Sequence, residues 1–159
     1  MKIISDEIVK QILDEQAEKD FLETERQIAR LSRDQPALLS YLMGSNDDHY
    51  NFDEKQLLLF IGVNVFLMLS KGDKKLAQVS MDDIEAAQQK NIEMFEYLEK
   101  EIPGEFQKTT DMIFKEYNQK NMLRYVIETL FDDDDSHIRA DRKGLIFFDL
   151  KTVLDCLDQ

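Results

Sequence analysis

The sequence has no tryptophan, one cysteine, two prolines, five glycines and two histidines in 159 residues. Each shortage removes a class of protein. The lone Cys156 cannot close a disulfide within the chain, so a cross-linked secreted scaffold is excluded and a reducing, cytoplasmic setting is expected. So few prolines and glycines leave too few turns for the many connections of a β-sandwich or barrel. Long apolar runs are missing too. The longest, LLLFIGVNVFLML at 57–69, contains Asn64 and falls short of the roughly 20 residues a membrane span needs, so it is read as a buried core helix. The N-terminus reaches acid at Asp6 without an extended apolar stretch, unlike a secretory signal.

Catalytic signatures are also absent. There is no GxxxxGK[ST] or GxGxxG loop to cradle phosphate, and no CxxC, HExxH or GxSxG. Neither histidine is preceded three residues earlier by glutamate, which excludes the Glu-x-x-His pairs of a ferritin-like di-iron site. A Cys–His nucleophile would have to use Cys156, whose neighbours Asp155 and Asp158 disfavour a thiolate.

Acid and helical periodicity dominate instead. Thirty-three acidic residues face 20 basic ones, a formal net charge of −13. Such a field repels phosphate backbones, so neither nucleic acid nor membrane is an expected partner; a cationic protein is better matched. Ser5 reads as a helix N-cap, and Ile8, Ile12 and Val9, Leu13, Ala17, Phe21 step by four. This predicts one long helix over about 5–33, reaching beyond the core. Pro36 opens a short helix that Gly44 closes.

Asp53 is the expected cap of a helix over about 53–70 that is apolar all round. In it Gly62 would admit a neighbouring backbone, and Asn64 must find buried partners, because an unsatisfied amide costs about 1–3 kcal/mol. Ser80 caps the next helix, whose seam of Ile84, Gln88, Asn91, Phe95, Leu98 and Ile102 is read as intramolecular packing in preference to a dimer seam. Pro103-Gly104 breaks the chain. Asn118-Gln119-Lys120-Asn121 kinks or divides the next helical stretch, and the last helix carries Ile146, Phe147, Leu150, Val153, Leu154 and Leu157 on one stripe. With no repeat and no Pro/Ser-rich linker, the expectation is a single all-α, bundle-like domain over 1–159 with about six or seven helices.

The sharpest functional lead lies in SNDDHY (45–50) and DDDDSH (132–137), where each histidine follows a run of aspartates. Oxygen-rich groups with an imidazole suit Mn²⁺, Mg²⁺ or Fe²⁺ better than structural zinc, so His49, His137, Asp47, Asp48 and Asp134 form a candidate metal set if the two loops converge. A metal held there would lower the pKa of a bound water for hydrolysis. The spacing fails the EF-hand pattern: counted from Asp132, position 12 is Lys143. The simpler reading is two solvated turns, where aspartate and asparagine bond to nearby backbone, with Arg139, Arg142 and Lys143 to offset the acid. Tyr41, Tyr50, Phe52 and Phe148 are candidate exposed aromatics that would mark a partner groove.

The sequence therefore predicts a non-catalytic, cytoplasmic helical interaction or regulatory module that needs no cofactor and binds another protein or its own copy. The alternatives are a metal-dependent hydrolytic enzyme built on the two Asp/His loops, and an acidic decoy or inhibitor of a basic nucleic-acid-binding protein.

Overall fold

Asp20 divides the first of the expected helices in two. The structure is a computed structural model that describes residues 1–44, 47–101, 106–132 and 137–159, apart from the side chains of 98–101, 106, 107, 109 and 110. In it α1 spans Asp6–Glu18 and α2 spans Phe21–Asp34. Asp20 sits between them in extended conformation and its carboxylate accepts the Glu23 backbone N–H at 2.8 Å. A cap of this kind contributes about 1 kcal/mol and competes directly with helical continuation. Instead of reaching beyond the core, α1 buries Val9, Ile12 and Gln16 and packs on α4 and α7. Helix α2 packs on α3 and α4.

The remaining elements are α3 (Pro36–Gly44), a 3₁₀ turn (Asp47–His49), α4 (Phe52–Ser70), α5 (Met81–Glu101), α6 (Phe106–Glu116), α7 (Lys120–Phe131) and α8 (Ala140–Leu157). The fold is all-α, with eight α-helices and no strand among the described residues. None of those helices is long and apolar enough to cross a membrane.

Two helices form the centre. Helix α4 is buried on every side from Ile61 to Leu69, including the amide of Asn64. Its cap is Asn51, not Asp53: the Asn51 side chain accepts the Glu54 N–H while the Glu54 carboxylate accepts the Asn51 N–H, each at 2.9 Å. A reciprocal box satisfies two otherwise orphaned donors and so outcompetes a single cap two residues later. Gly62 does admit a close neighbour, but it is the Leu42 side chain and not backbone; a Cβ there would lie 2.6 Å from Leu42 Cδ1.

Helix α8 packs on α4, α5 and α7, and it buries Asp149, Lys151, Thr152 and Cys156 as well as its apolar stripe. The α5 seam docks on α8 of the same chain: Ile84 and Asn91 are buried, and Phe95 meets Phe147 edge-on at 6.2 Å between ring centroids. The Leu98 side chain and Ile102 lie outside the described residues.

The amide run 118–121 separates α6 from α7 and ties down the first residues of the chain. Gln119, fully buried, accepts the Ile4 N–H at 2.9 Å and donates to the Lys2 carbonyl at 3.1 Å. Asn121 donates to the Ile4 carbonyl at 2.8 Å. A side-chain amide both donates and accepts, so it can replace a backbone partner for an extended segment.

Candidate functional site

Arginines that follow the second Asp/His motif reach the first. Arg139, two residues after His137, reaches the buried Glu54 carboxylate through Nη2 at 2.6 Å and Nε at 3.1 Å, and its backbone N–H adds a bond at 3.1 Å. The same guanidinium donates to the His49 carbonyl at 2.8 Å, and Arg142 Nε donates there at 2.9 Å. Around this staple Asp47, Asp48 and Asp132 are exposed. Asp47 pairs with Lys55 at 2.5 Å, and His49 and His137 are exposed. Asp134 lies outside the described residues. Among the described residues no three His, Cys, Asp or Glu side chains gather as a metal-holding group.

Burial raises the Glu54 pKa, but the bonds from Arg139 and from the backbone of Asn51 and Arg139 outweigh it and leave the carboxyl below its ordinary value of 4.5. A depressed carboxylate contributes stability above its unfolded-state pKa and loses it as the pH falls through the folded-state value. Arg139→Ala is therefore expected to lower the urea midpoint most at pH 7, with the gap to wild type closing below about pH 4. An equal gap at pH 7 and pH 3 would show that the ion pair does not carry the loss.

His137 also borders an apolar groove of about 580 Å³ between α2 and α4. Ile28 from α2 and Leu57, Phe60 and Val63 from α4 line it, with Ile138 at one end. Two exposed phenylalanines extend the same surface. Phe52 precedes Gln56 and Phe60 by four and eight residues, and Phe21 precedes Thr24 and Ile28 by three and seven, so each shares a helical face with groove residues. Phe21 is 76% exposed, Phe52 71% and Phe60 40%. The ionisable lining groups are Lys19, Asp53 and His137. The Lys19 ammonium stands 5.4 Å from the centroid of the Phe60 ring, and burial lowers its pKa against the opposing pull of Glu23.

A chain of amides runs from this groove into the core. Lys19 donates to Gln27 at 3.4 Å, Gln27 to Gln16 at 2.7 Å, Gln16 to Asn64 at 2.6 Å, and Asn64 to the Tyr125 hydroxyl at 2.7 Å. Asn64 thus has the buried partners its position demands. The chain fixes α1, α2, α4 and α7 in one register, so the groove is walled by rigid elements.

The other aromatic candidates are distributed differently. Tyr41 and Tyr50, each 6% exposed, donate to the two oxygens of Asp149 at 2.8 and 2.6 Å. Phe148 is half-buried against Phe95. Of the four, Phe52 alone is exposed; Phe60 lines the groove, and Phe21 shares a helical face with its lining residues. A second buried polar group centres on Lys151. It donates to Asn91 at 2.8 Å and Asp155 at 2.7 Å and stands 5.1 Å from the Tyr117 ring centroid, while the Tyr117 hydroxyl donates to Asp155. Cys156 is buried, and burial with the charges of Asp155 and Asp83 pushes its thiol up to about 12, too high for a working nucleophile. Comparison with protein-family models, curated proteins and solved structures finds no match to this chain.

Proposed function

We propose that the chain is a non-catalytic interaction module whose α2–α4 groove receives an amphipathic helix of another protein, apolar on the inserted face and basic beside it. The observation that carries this reading is an apolar-lined groove that contains the exposed Phe60, while helical spacing puts the exposed Phe21 and Phe52 on the faces of α2 and α4 that wall it. Scattered apolar residues are ordinary on a surface, but a contiguous apolar patch with a polar rim is typical of recognition, and a helix laid in such a groove anchors through residues at i, i+3/i+4 and i+7.

Charge calls for the basic flank. The chain carries −13 overall, and Asp20, Glu23 and Asp53 stand at or beside the rim. Complementary charge speeds encounter and rejects acidic competitors. A cytoplasmic setting agrees with the free, buried Cys156.

Chemical-shift mapping with a model peptide, leucines on one helical face and lysines on the other, tests the location. Resonances of Thr24, Ile28, Gln56 and Phe60 are expected to move together. Shifts confined to the acidic face of α1, at Glu7, Asp14 and Glu18, would reduce the contact to unspecific charge and end the proposal.

A further inference from the structure

On another side of α2 the chain offers an opposite chemistry. A cavity of about 660 Å³ lies where the ends of α2 and α4 meet the segment 75–78, with Arg30 and Lys75 in its wall. Basic residues gather here against the trend of the sequence. Arg30, Arg33, Lys71, Lys74 and Lys75 face only Asp34 and Asp73 nearby in sequence. Asp34 is shared between Arg30 at 3.4 Å and Arg33 at 2.9 Å, and Asp73 accepts the Lys2 backbone N–H. Lys71, Lys74 and Lys75 make no ion pair among the described residues.

The backbone beside these cations is equally distinctive. Residues 75–80 run without helix or turn. Gln35, 1% exposed, donates its amide to the Ala77 carbonyl at 2.7 Å and accepts the Val79 N–H at 2.8 Å. An amide that spans the C=O of one residue and the N–H of the next but one does what a peptide group of a parallel neighbouring strand does. Ala77 and Val79 therefore have one strand edge occupied by a side chain. In an extended segment the alternate residues, Leu76 and Gln78, turn their N–H and C=O to the other edge. Those groups have no hydrogen-bond partner among the described residues, and both residues line the cavity.

We propose that this edge takes an extended acidic peptide from a partner protein, paired as an added strand along 75–79 with its carboxylates on Arg30 and Lys75. Strand addition obtains affinity from main-chain bonds and selectivity from alternate side chains, and arginine offers a carboxylate a two-pronged donor. The site is separate from the α2–α4 groove and selects the opposite charge.

The test is titration of a labelled peptide of alternating valine and glutamate into the full chain. Two control peptides accompany it, one with lysine for glutamate and one N-methylated on alternate backbone amides. The acidic peptide is expected to bind, the lysine peptide to fail, and N-methylation to weaken binding at least tenfold. The double substitution Arg30→Glu/Lys75→Glu should abolish binding while leaving the melting temperature within a few degrees, since Lys75 is exposed and the Arg30 side chain, 43% exposed, gives up only its pairing with Asp34 and its place over the Phe66 ring. Phe60→Glu should leave it unchanged, which keeps this result distinct from the fate of the α2–α4 groove. Equal binding of the N-methylated peptide would overturn strand pairing, and equal binding by the double variant would overturn the location. Displacement by inorganic phosphate with no response to N-methylation would reassign the cavity to small anions and likewise overturn the peptide proposal.

Discussion

Asp149→Ala is expected to lose about 3–5 kcal/mol of stability, because it leaves the hydroxyls of Tyr41 and Tyr50 without their acceptor in a fully buried place. At this chain length that is a fall in melting temperature of roughly 6–20 °C. The group ties three parts of the chain, since Tyr41 lies in α3, Tyr50 just before α4 and Asp149 in α8. Removing one donor at a time is milder: Tyr41→Phe and Tyr50→Phe should each cost about 1–2 kcal/mol, as the carboxylate keeps its other bond. Asp149→Asn should fall between, because its amide offers one acceptor where the two hydroxyls had two. Thermal melts of the four variants decide it. An alanine variant no worse than either phenylalanine variant would mean that the tyrosines do not depend on Asp149.

The Lys151 group should respond asymmetrically. Asp155→Ala strands an ammonium whose side chain is 6% exposed with the Asn91 carbonyl as its remaining close acceptor, at an expected cost of about 3–5 kcal/mol. Lys151→Met removes the charge and keeps the apolar stem, while Asp155, with a side chain 26% exposed, still accepts from Asn91 and Tyr117; about 1–2 kcal/mol is expected. The double variant Lys151→Met/Asp155→Ala should recover much of the larger loss, a coupling of at least about 1 kcal/mol in a double-mutant cycle. Additive losses would show that the two charges do not depend on each other.

Much of the architecture is legible before any coordinates. Ser5 and Ser80 cap where they stand ahead of acidic first turns, Asn64 announces a buried partner by its place in an apolar run, and the α5 seam is recognisable from spacing alone. The features that escape are decided by choices between near-equal local options or by distant chain. Asp20 lies among strong helix formers, and only its bond to the Glu23 N–H reveals a cap. Asp149 looks like the polar neighbour of Leu150 until two tyrosines from roughly a hundred residues away close over it.

The candidate site is less legible than the fold. Phe60 and Phe66 belong to the same apolar run, yet Phe66 is 2% exposed and Phe60 40%, because the neighbours α1, α2, α3 and α8 enclose α4 from Ile61 onward and leave one side of its N-terminal half uncovered. The histidine loops stand out by composition. That Arg139, just after the second, binds Glu54 85 positions earlier and the His49 carbonyl is a tertiary fact that no local pattern announces.

The most direct test of the groove exploits charge against shape. Binding of the leucine–lysine helix is measured by fluorescence anisotropy for wild type and for Phe60→Glu, at low and at physiological salt. A surface that attracts cations only through its net charge would bind the variant as well or better, since the substitution adds a negative charge. A groove that takes the apolar face loses an anchor and gains a carboxylate where leucines must insert. At least tenfold weaker binding to Phe60→Glu at both salt concentrations is the expected result; equal or tighter binding would contradict the assignment of the α2–α4 groove as a docking surface.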